Sequence, residues 1–190
     1  SPFSCTYGLM TINGIPKASF NAFRLLRKMK GNIMDVKTKN ELPAGKGLLV
    51  TKDQQTIKII LWNQNFAEEK NHTNWTGHIE LPVTKDTLLD MVKATIGIGN
   101  GSPWESWQLM GRPLNPTVTQ LELLKQQSEP AYLFSAIKVK KNIPDIPFNL
   151  KPGEVQYIEI TLPSQSVNTR FANPAEFEIW NKAMGEKSKE

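Results

Sequence analysis

Val155–Leu162 reads Val-Gln-Tyr-Ile-Glu-Ile-Thr-Leu, and its second half alternates strictly with a period of two. Ile158, Ile160 and Leu162 fall on one side of an extended chain, and Glu159 and Thr161 fall on the other. That period belongs to a half-buried β-strand. Ile57–Trp62 (IKIILW) is apolar on both faces, as a central strand must be. Before it stands a short apolar run, Leu48-Leu49-Val50, and Lys52-Asp53-Gln54-Gln55 between them reads as a hairpin turn. Further strand-like runs are Ile79–Leu81 with Val83, where Pro82 marks a bend or an edge, then Met91–Ile98, Tyr132–Val139 and Phe148–Leu150. Asn63–Thr76 is polar and reads as a loop. Short strands at this spacing predict a mainly β protein, an antiparallel β-sandwich over residues 32–163.

Helices flank this pattern. Asn13-Gly14 makes a turn, and Pro16 stands where a first helical residue belongs. Ala18, Ala22, Leu25, Leu26 and Met29 are then spaced three and four apart, with Phe23 in a second row. The spacing predicts a helix over residues 16–30 packed on the sandwich. Arg27, Lys28 and Lys30 suit the negative end of its dipole, and Gly31 suits the position after it. Pro116–Gln126 predicts a second, shorter helix, with Val118, Leu121 and Leu124 on one side. Asn173-Pro174 opens a short C-terminal helix in the tail, 164–190, with Phe177, Ile179, Trp180 and Met184 as its apolar set.

Composition narrows the function classes. The chain has 190 residues, 39% apolar and 22% charged, which is globular rather than disordered or fibrous. No apolar run approaches the ~20 residues a membrane helix needs, so no membrane span is expected. The first ten residues lack the basic and apolar regions of a signal peptide. One cysteine, Cys5, allows neither an internal disulfide nor a Cys-based zinc site, and no cofactor or metal is expected. Net charge is +5, and residues 17–58 alone carry ten basic and three acidic side chains, so the rest of the chain is slightly acidic. Only four of the 23 basic residues are Arg, the type that grips phosphates and base edges in a bidentate way. Lys scattered among Asn, Gln and Thr marks a solvated face, and nucleic-acid binding through 17–58 ranks third among the readings.

The candidate chemistry is sparse. The two histidines, His72 and His78, are six apart, a spacing that fits neither a helical zinc pair nor a triad. Ile96–Gly101 (IGIGNG) is Gly-rich but lacks the third Gly and the following helix of a dinucleotide site. The most distinctive string is Ser102–Pro113, SPWESWQLMGRP. Trp104 and Trp107 offer flat apolar faces with Glu105 between them, the combination by which proteins hold sugars: rings stack on C–H faces and a carboxylate accepts from hydroxyls. The plainer reading is a Trp-anchored corner that packs a long loop onto a sheet. Glycoside hydrolysis needs two carboxylates flanking one bond. Glu68-Glu69 are adjacent on a polar loop, and Asp86, Asp90, Glu105 and Glu122 have no partner implied by spacing, so no catalytic pair is expected. Asn71, Asn74 and Asn100 each head a glycosylation sequon, which matters only in a eukaryotic secretory host.

Residues 3–163 resemble the C-terminal part of the β-xylosidase/α-L-iduronidase family of glycoside hydrolases. Gly8, Leu9, Thr11, Gly14, Ile15, Lys17, Phe20, Ala22, Phe23 and Leu25-Leu26 fit the family's turn from last barrel strand to last barrel helix, with Ala18 where Pro is usual. Ile59–Asn65 (IILWNQN) looks like its sandwich strand ending in Trp-Asn. Trp107, Met110-Gly111, Pro113, Pro116-Thr117, Gln120 and Leu123 look like its Trp-x-x-Met-Gly-x-Pro-x-x-Pro-Thr-x-x-Gln segment. The family often has Asp and His-Ser-Asn ahead of this Trp, where the present chain has IGIGNGSPWES.

The resemblance implies a division. Residues 1–31 are the last strand and helix of a TIM barrel, 32–163 an accessory β-sandwich, and 164–190 a tail. The family's catalytic acid and nucleophile are Glu residues on earlier barrel strands, so this chain alone is expected to hydrolyse no glycoside. Its expected partner is the parent's catalytic barrel, in a secreted or periplasmic setting. The alternative is a carbohydrate-binding module that grips glycan through Trp104 and Trp107. Separation from a barrel would bare part of Phe20, Phe23, Leu26 and Met29, a seam expected to be covered by the tail (Phe177, Trp180, Met184) or by a homodimer, unless the helix simply folds onto the sandwich.

Overall fold

The computed structural model describes Phe3 and residues 8–64, 73–81, 87–139 and 145–162. The tail with its expected helix, Cys5, Val83, Glu68, Glu69, His72 and Asp86 lie outside the described residues. In chain order the elements are α1 (Ala18–Leu26), β1 (Asn32–Ile33), β2 (Lys46–Lys52), β3 (Thr56–Asn63), β4 (Trp75–Glu80), β5 (Thr87–Ile96), α2 (Trp104–Leu109), α3 (Val118–Gln127), β6 (Ala131–Val139), β7 (Asp145–Leu150) and β8 (Val155–Thr161).

Every strand pairing is antiparallel. One sheet has six strands in the order β1-β2-β3-β8-β5-β6, and the other has two, β4-β7. β3 is central, as its two-faced apolar sequence requires. Ile57, Ile59 and Leu61 face the two-stranded sheet together with Ile158, Ile160 and Leu89, and there they meet Trp75, Leu81, Ile146 and Leu150. This is the sandwich core. The opposite face carries Ile60, Ala94, Ile96 and Tyr157, and α1 lies on it through Ala18, Ala22, Leu25 and Met29. A third cluster joins Ile15, Trp107 and Leu124 beside the sheet. The sheets are also tied by a polar contact: the Lys93 amine donates to the Pro147 carbonyl at 3.2 Å. Burial holds the Lys93 ammonium below its ordinary pKa.

Two strands use glycine to admit an aromatic ring. Gly47 lies opposite Trp62, and a Cβ there would stand 2.1 Å from the indole. Gly77 lies opposite Phe148, and a Cβ there would stand 2.6 Å from the phenyl ring. In both pairs the ring lies over the bare backbone of its neighbour.

The structure corrects several boundaries. α1 spans nine residues, where the spacing predicts a helix over 16–30. Pro16 is not its first residue: it bridges Met10 in an extended turn, flanked by bonds from the Thr11 N–H to the Ile15 carbonyl and from the Lys17 N–H to the Leu9 carbonyl. A residue without an N–H fits such a bridge, because its neighbours supply the donors. Arg27 is the C-cap, and Lys28 and Lys30 follow in tight turns after the helix. Gly31 is left-handed (φ 108°) and would drive a Cβ to 2.5 Å from the Lys52 carbonyl oxygen, so it lets the chain enter β1 against β2. Trp75 and Thr76, expected at the end of a polar loop, begin β4, because the buried Trp75 ring packs edge-on against Phe148. β5 starts at Thr87 rather than Met91.

The hairpin at Asp53 is as the sequence predicts. Its carboxylate accepts from the N–H groups of Gln55 (2.9 Å) and Thr56 (2.6 Å), the Thr56 hydroxyl (2.8 Å) and Lys58 Nζ (3.0 Å). These donors, led by the Gln55 N–H, hold its pKa well below the ordinary carboxylate range. A depressed folded-state pKa contributes stability that is complete above the unfolded-state pKa of about 4 and is lost as pH falls below it. Thermal melts between pH 2 and 6 are expected to show Asp53→Asn less stable than wild type at the upper end. The gap should close as the pH falls below about 4; a gap that does not change with pH would contradict this.

The corner where α1, the end of β5 and the end of α3 meet is held by one buried amide. Asn21 is wholly buried; its Nδ2 donates to the Gly101 carbonyl at 3.0 Å and to the Ser128 carbonyl, and its Oδ1 accepts from Arg24 Nη1 at 3.1 Å. Arg24 in turn pairs with Glu129 at 2.9 Å. Asn21→Leu strands two carbonyls without a donor, and urea unfolding should show a loss of about 2–4 kcal/mol. Arg24→Ala, at the exposed end of the same chain of contacts, should cost less than about 1 kcal/mol.

Candidate functional site

α2 is a six-residue helix that the sequence pattern does not predict, because a run of less than two turns is too short to establish a helical period. Its ends explain it. Pro103 is the N-cap, and Gly111 (φ 82°) and Arg112 (φ 55°) are left-handed. The Arg112 N–H donates to the Trp107 carbonyl (3.1 Å) and the Gly111 N–H to the Gln108 carbonyl (3.0 Å), the paired bonds of a Schellman stop. Trp107 is buried, and its indole N–H donates to the Pro113 carbonyl at 3.1 Å. The link then starts α3 through a capping box: the Gln120 N–H reaches the Thr117 hydroxyl (3.3 Å), and the Thr117 N–H reaches Gln120 Oε1 (2.9 Å).

The three candidate site residues therefore have different surroundings. Trp104 and Trp107 are together, with ring centroids 5.1 Å apart at 39°. Phe3 completes the cluster, 5.7 Å from Trp104 edge-on and 5.2 Å from Trp107. Trp107 is the anchor, as the corner reading has it, whereas Trp104 is 41% exposed. Glu105 is half-buried and accepts from the Ser102 hydroxyl at 3.1 Å. Of the three, Trp104 is the exposed one, and Glu105, the next residue on the helix, is turned to Ser102.

The other candidates are placed as follows. Gly97 and Asn100 bridge each other in a tight turn, with Gly99 and Gly101 left-handed. A helix does follow this turn, contrary to expectation, but the Gly101 carbonyl is bound by Asn21. Asn100 Oδ1 accepts from the Ala131 N–H at 2.7 Å, so that sequon side chain ties the turn to β6, while Asn74 is exposed. Asp90 is on β5, and Glu122 is exposed on α3. Of the basic residues of 17–58, Lys58 pairs with Asp53, and Lys28 lies 5.0 Å from the Tyr132 ring and 5.7 Å from the Tyr157 ring.

One pair of acids escapes sequence reasoning. Glu80 on β4 lies opposite Asp145 on β7, 65 positions later, and His78 Nδ1 meets Asp145 Oδ2 at 2.8 Å. Only sheet register brings them together. Both are exposed on the two-stranded sheet, without the apolar wall that fits a carboxyl for general acid work. Among the described residues, no three His, Cys, Asp or Glu side chains form a group that could hold a metal ion.

The profile of "Glycosyl hydrolases family 39" matches residues 1–140. A β-xylosidase of Caldicellulosiruptor saccharolyticus is 27% identical over 134 residues, covering 67% of this chain and 26% of the relative. The structure of a monomeric β-xylosidase from Caulobacter crescentus CB15 superimposes with a TM-score of 0.71 at 20% identity, over 86% of this chain and 34% of the other. A structure of the bacterial orthologue of human α-L-iduronidase gives a TM-score of 0.64 at 16% identity, over 80% of this chain and 28% of the other. The chain thus spans about a quarter to a third of the proteins it resembles. With the family match covering most of its length and the same fold recurring in those structures, the chain belongs to glycosyl hydrolases family 39.

Proposed function

We propose that this chain is the non-catalytic C-terminal part of a retaining, β-xylosidase-like glycosidase of carbohydrate degradation, and that it supports the catalytic barrel. In this reading residues 1–31 end the barrel, 32–163 form the accessory sandwich, and 164–190 are a tail. One observation carries it. α1 folds onto the sheet with Leu25 buried, yet Phe23 (59%) and Leu26 (42%) face solvent together with Leu9, Met10 and Ile12 of the preceding turn. An apolar run on consecutive elements has the character of a seam for a larger body. The partial coverage of the relatives agrees with a missing catalytic portion.

The 190-residue chain is expected to release no chromophore from aryl β-xyloside or related aryl-glycosides. Turnover that survives repurification would overturn the reading, and its loss in Glu80→Gln or Glu105→Gln would point to the acid responsible. The seam has its own test. Phe23→Glu and Leu26→Glu should each change unfolding free energy by no more than about 0.5 kcal/mol and should lower binding of a hydrophobic dye. A loss above about 2 kcal/mol would mean that these side chains are packed within the domain.

The second reading, a glycan contact, is favoured by the exposed Trp104 ring. Titration with xylo-oligosaccharide should then quench Trp fluorescence in wild type and not in Trp104→Ala. Trp107→Ala should instead lose about 3–5 kcal/mol of stability, as expected for a buried anchor. No fluorescence change on titration of the wild type would remove this reading.

A further inference from the structure

The chain has two Asn-Gly pairs, Asn13-Gly14 and Asn100-Gly101. In such a pair the backbone nitrogen of Gly reaches the Asn amide readily, because Gly has no Cβ to obstruct the ring that forms. The surroundings of the two pairs differ. Asn13-Gly14 is the tip of the short turn before α1, closed by the Met10–Pro16 bridge. Both residues are exposed, Ile12 beside them is 91% exposed, and a Cβ on Gly14 would meet nothing within 4 Å. The Gly14 N–H donates to the Thr11 carbonyl at 3.0 Å, a bond closed within the tip itself. Asn100-Gly101 is held by distant segments instead. Asn100 Oδ1 accepts from the Ala131 N–H at 2.7 Å, and the Asn100 N–H and carbonyl both bond Gly97. Gly101 is buried, and its carbonyl accepts from Asn21 at 3.0 Å. An exposed tip opens without the rest of the fold, whereas the second pair opens only when β6 and α1 release it.

We propose that Asn13 is a site of spontaneous covalent modification, deamidating through a cyclic imide to aspartyl and isoaspartyl residues while Asn100 is spared. The Gly14 backbone nitrogen attacks the side-chain carbonyl carbon of Asn13. A C–N bond forms, the bond to Nδ2 breaks, and the amide nitrogen leaves as ammonia with the Gly14 proton. The succinimide that remains is opened by water. Addition at the side-chain carbonyl gives aspartate, and addition at the main-chain carbonyl gives isoaspartate, whose backbone runs through the side-chain carbons. Either product sets a carboxylate beside Ile12 in the exposed apolar run. Isoaspartate also lengthens the tip by one carbon between Thr11 and Ile15, which bond each other across it. The modified chain therefore carries a charge on the surface assigned above to the barrel, but the chemistry at Asn13 does not depend on that assignment.

Peptide mapping tests it. In the intact folded chain, aged in mildly alkaline buffer at body temperature, amide-to-acid conversion at Asn13 should run at least about tenfold faster than at Asn100. In concentrated urea the two rates should converge, because both sites are then plain Asn-Gly pairs. Isoaspartyl carboxyl methyltransferase should label the aged wild type. It should leave aged Asn13→Gln at background, with circular dichroism unchanged, because the Gln amide would have to close a larger ring. If Asn13→Gln fails to fold, the wild-type maps decide. Conversion at Asn100 as fast as at Asn13 in the folded chain would overturn the proposal. So would an intact Asn13 over the time in which the urea-treated chain converts, a rate gap that persists in urea, aspartate without isoaspartate, or methyl labelling that survives in folded Asn13→Gln.

Discussion

β8 closes the large sheet. It is the last described strand in the chain, and it lies between β3 and β5, bonded to both. Without it the other five strands fall into two groups, β1-β2-β3 and β5-β6, with no bond between them. The sheet can therefore be completed only after Val155–Thr161 has returned from nearly a hundred residues beyond β3. Such late, long-range pairing costs chain entropy before it is rewarded. The reward is large because β8 contributes to both faces: Ile158 and Ile160 to the sandwich core, and Tyr157 to the layer under α1. The Tyr157 hydroxyl donates to Glu159 on the same face, which satisfies the polar end of a fully buried ring.

Polar groups hold the pieces in register where apolar packing is indifferent to small shifts. Asn21 links α1 to chain segments 80 and 107 residues away. Asn63, at the end of β3, does the same for the sandwich. Its Nδ2 donates to the Thr73 and Leu150 carbonyls at 3.2 and 3.0 Å, and its N–H donates to the Glu154 carbonyl at 3.0 Å. Each of these amides is buried with its donors used, the condition under which a buried polar group fixes geometry instead of costing stability.

The residues that carry the family resemblance have, in this structure, structural work to do. Thr11 accepts from the Ile15 N–H through its hydroxyl, and both lie in the turn before α1. Trp62-Asn63 are the ring over Gly47 and the amide just described. Trp107, Gly111, Pro113, Thr117 and Gln120 form a helix stop, a link and a helix start. The family resemblance is thus carried by turns and caps, because each demands a particular residue type at a fixed spacing.

What the sequence determined by itself is the local part of this protein. The two-residue alternation of β8, the two-faced apolar run of β3, the Asp53 hairpin and the start of α3 each depend on backbone geometry and on hydrogen bonds closed within a few residues. The boundaries that moved are those where a distant neighbour intervenes: Pro16 bridges Met10 instead of starting a helix, Gly31 meets Lys52, and Trp75 packs on Phe148. The candidate site divides in the same way. The string around Trp104 and Trp107 stands out in one dimension, but which indole is open and which is an anchor depends on Phe3, Leu124 and Ile15 packing beside them. Glu80 facing Asp145 and Asn21 binding two remote carbonyls were decided only by tertiary structure. Pairing partners are chosen by burial of whole faces against one another, and no short-range pattern along the chain encodes that choice.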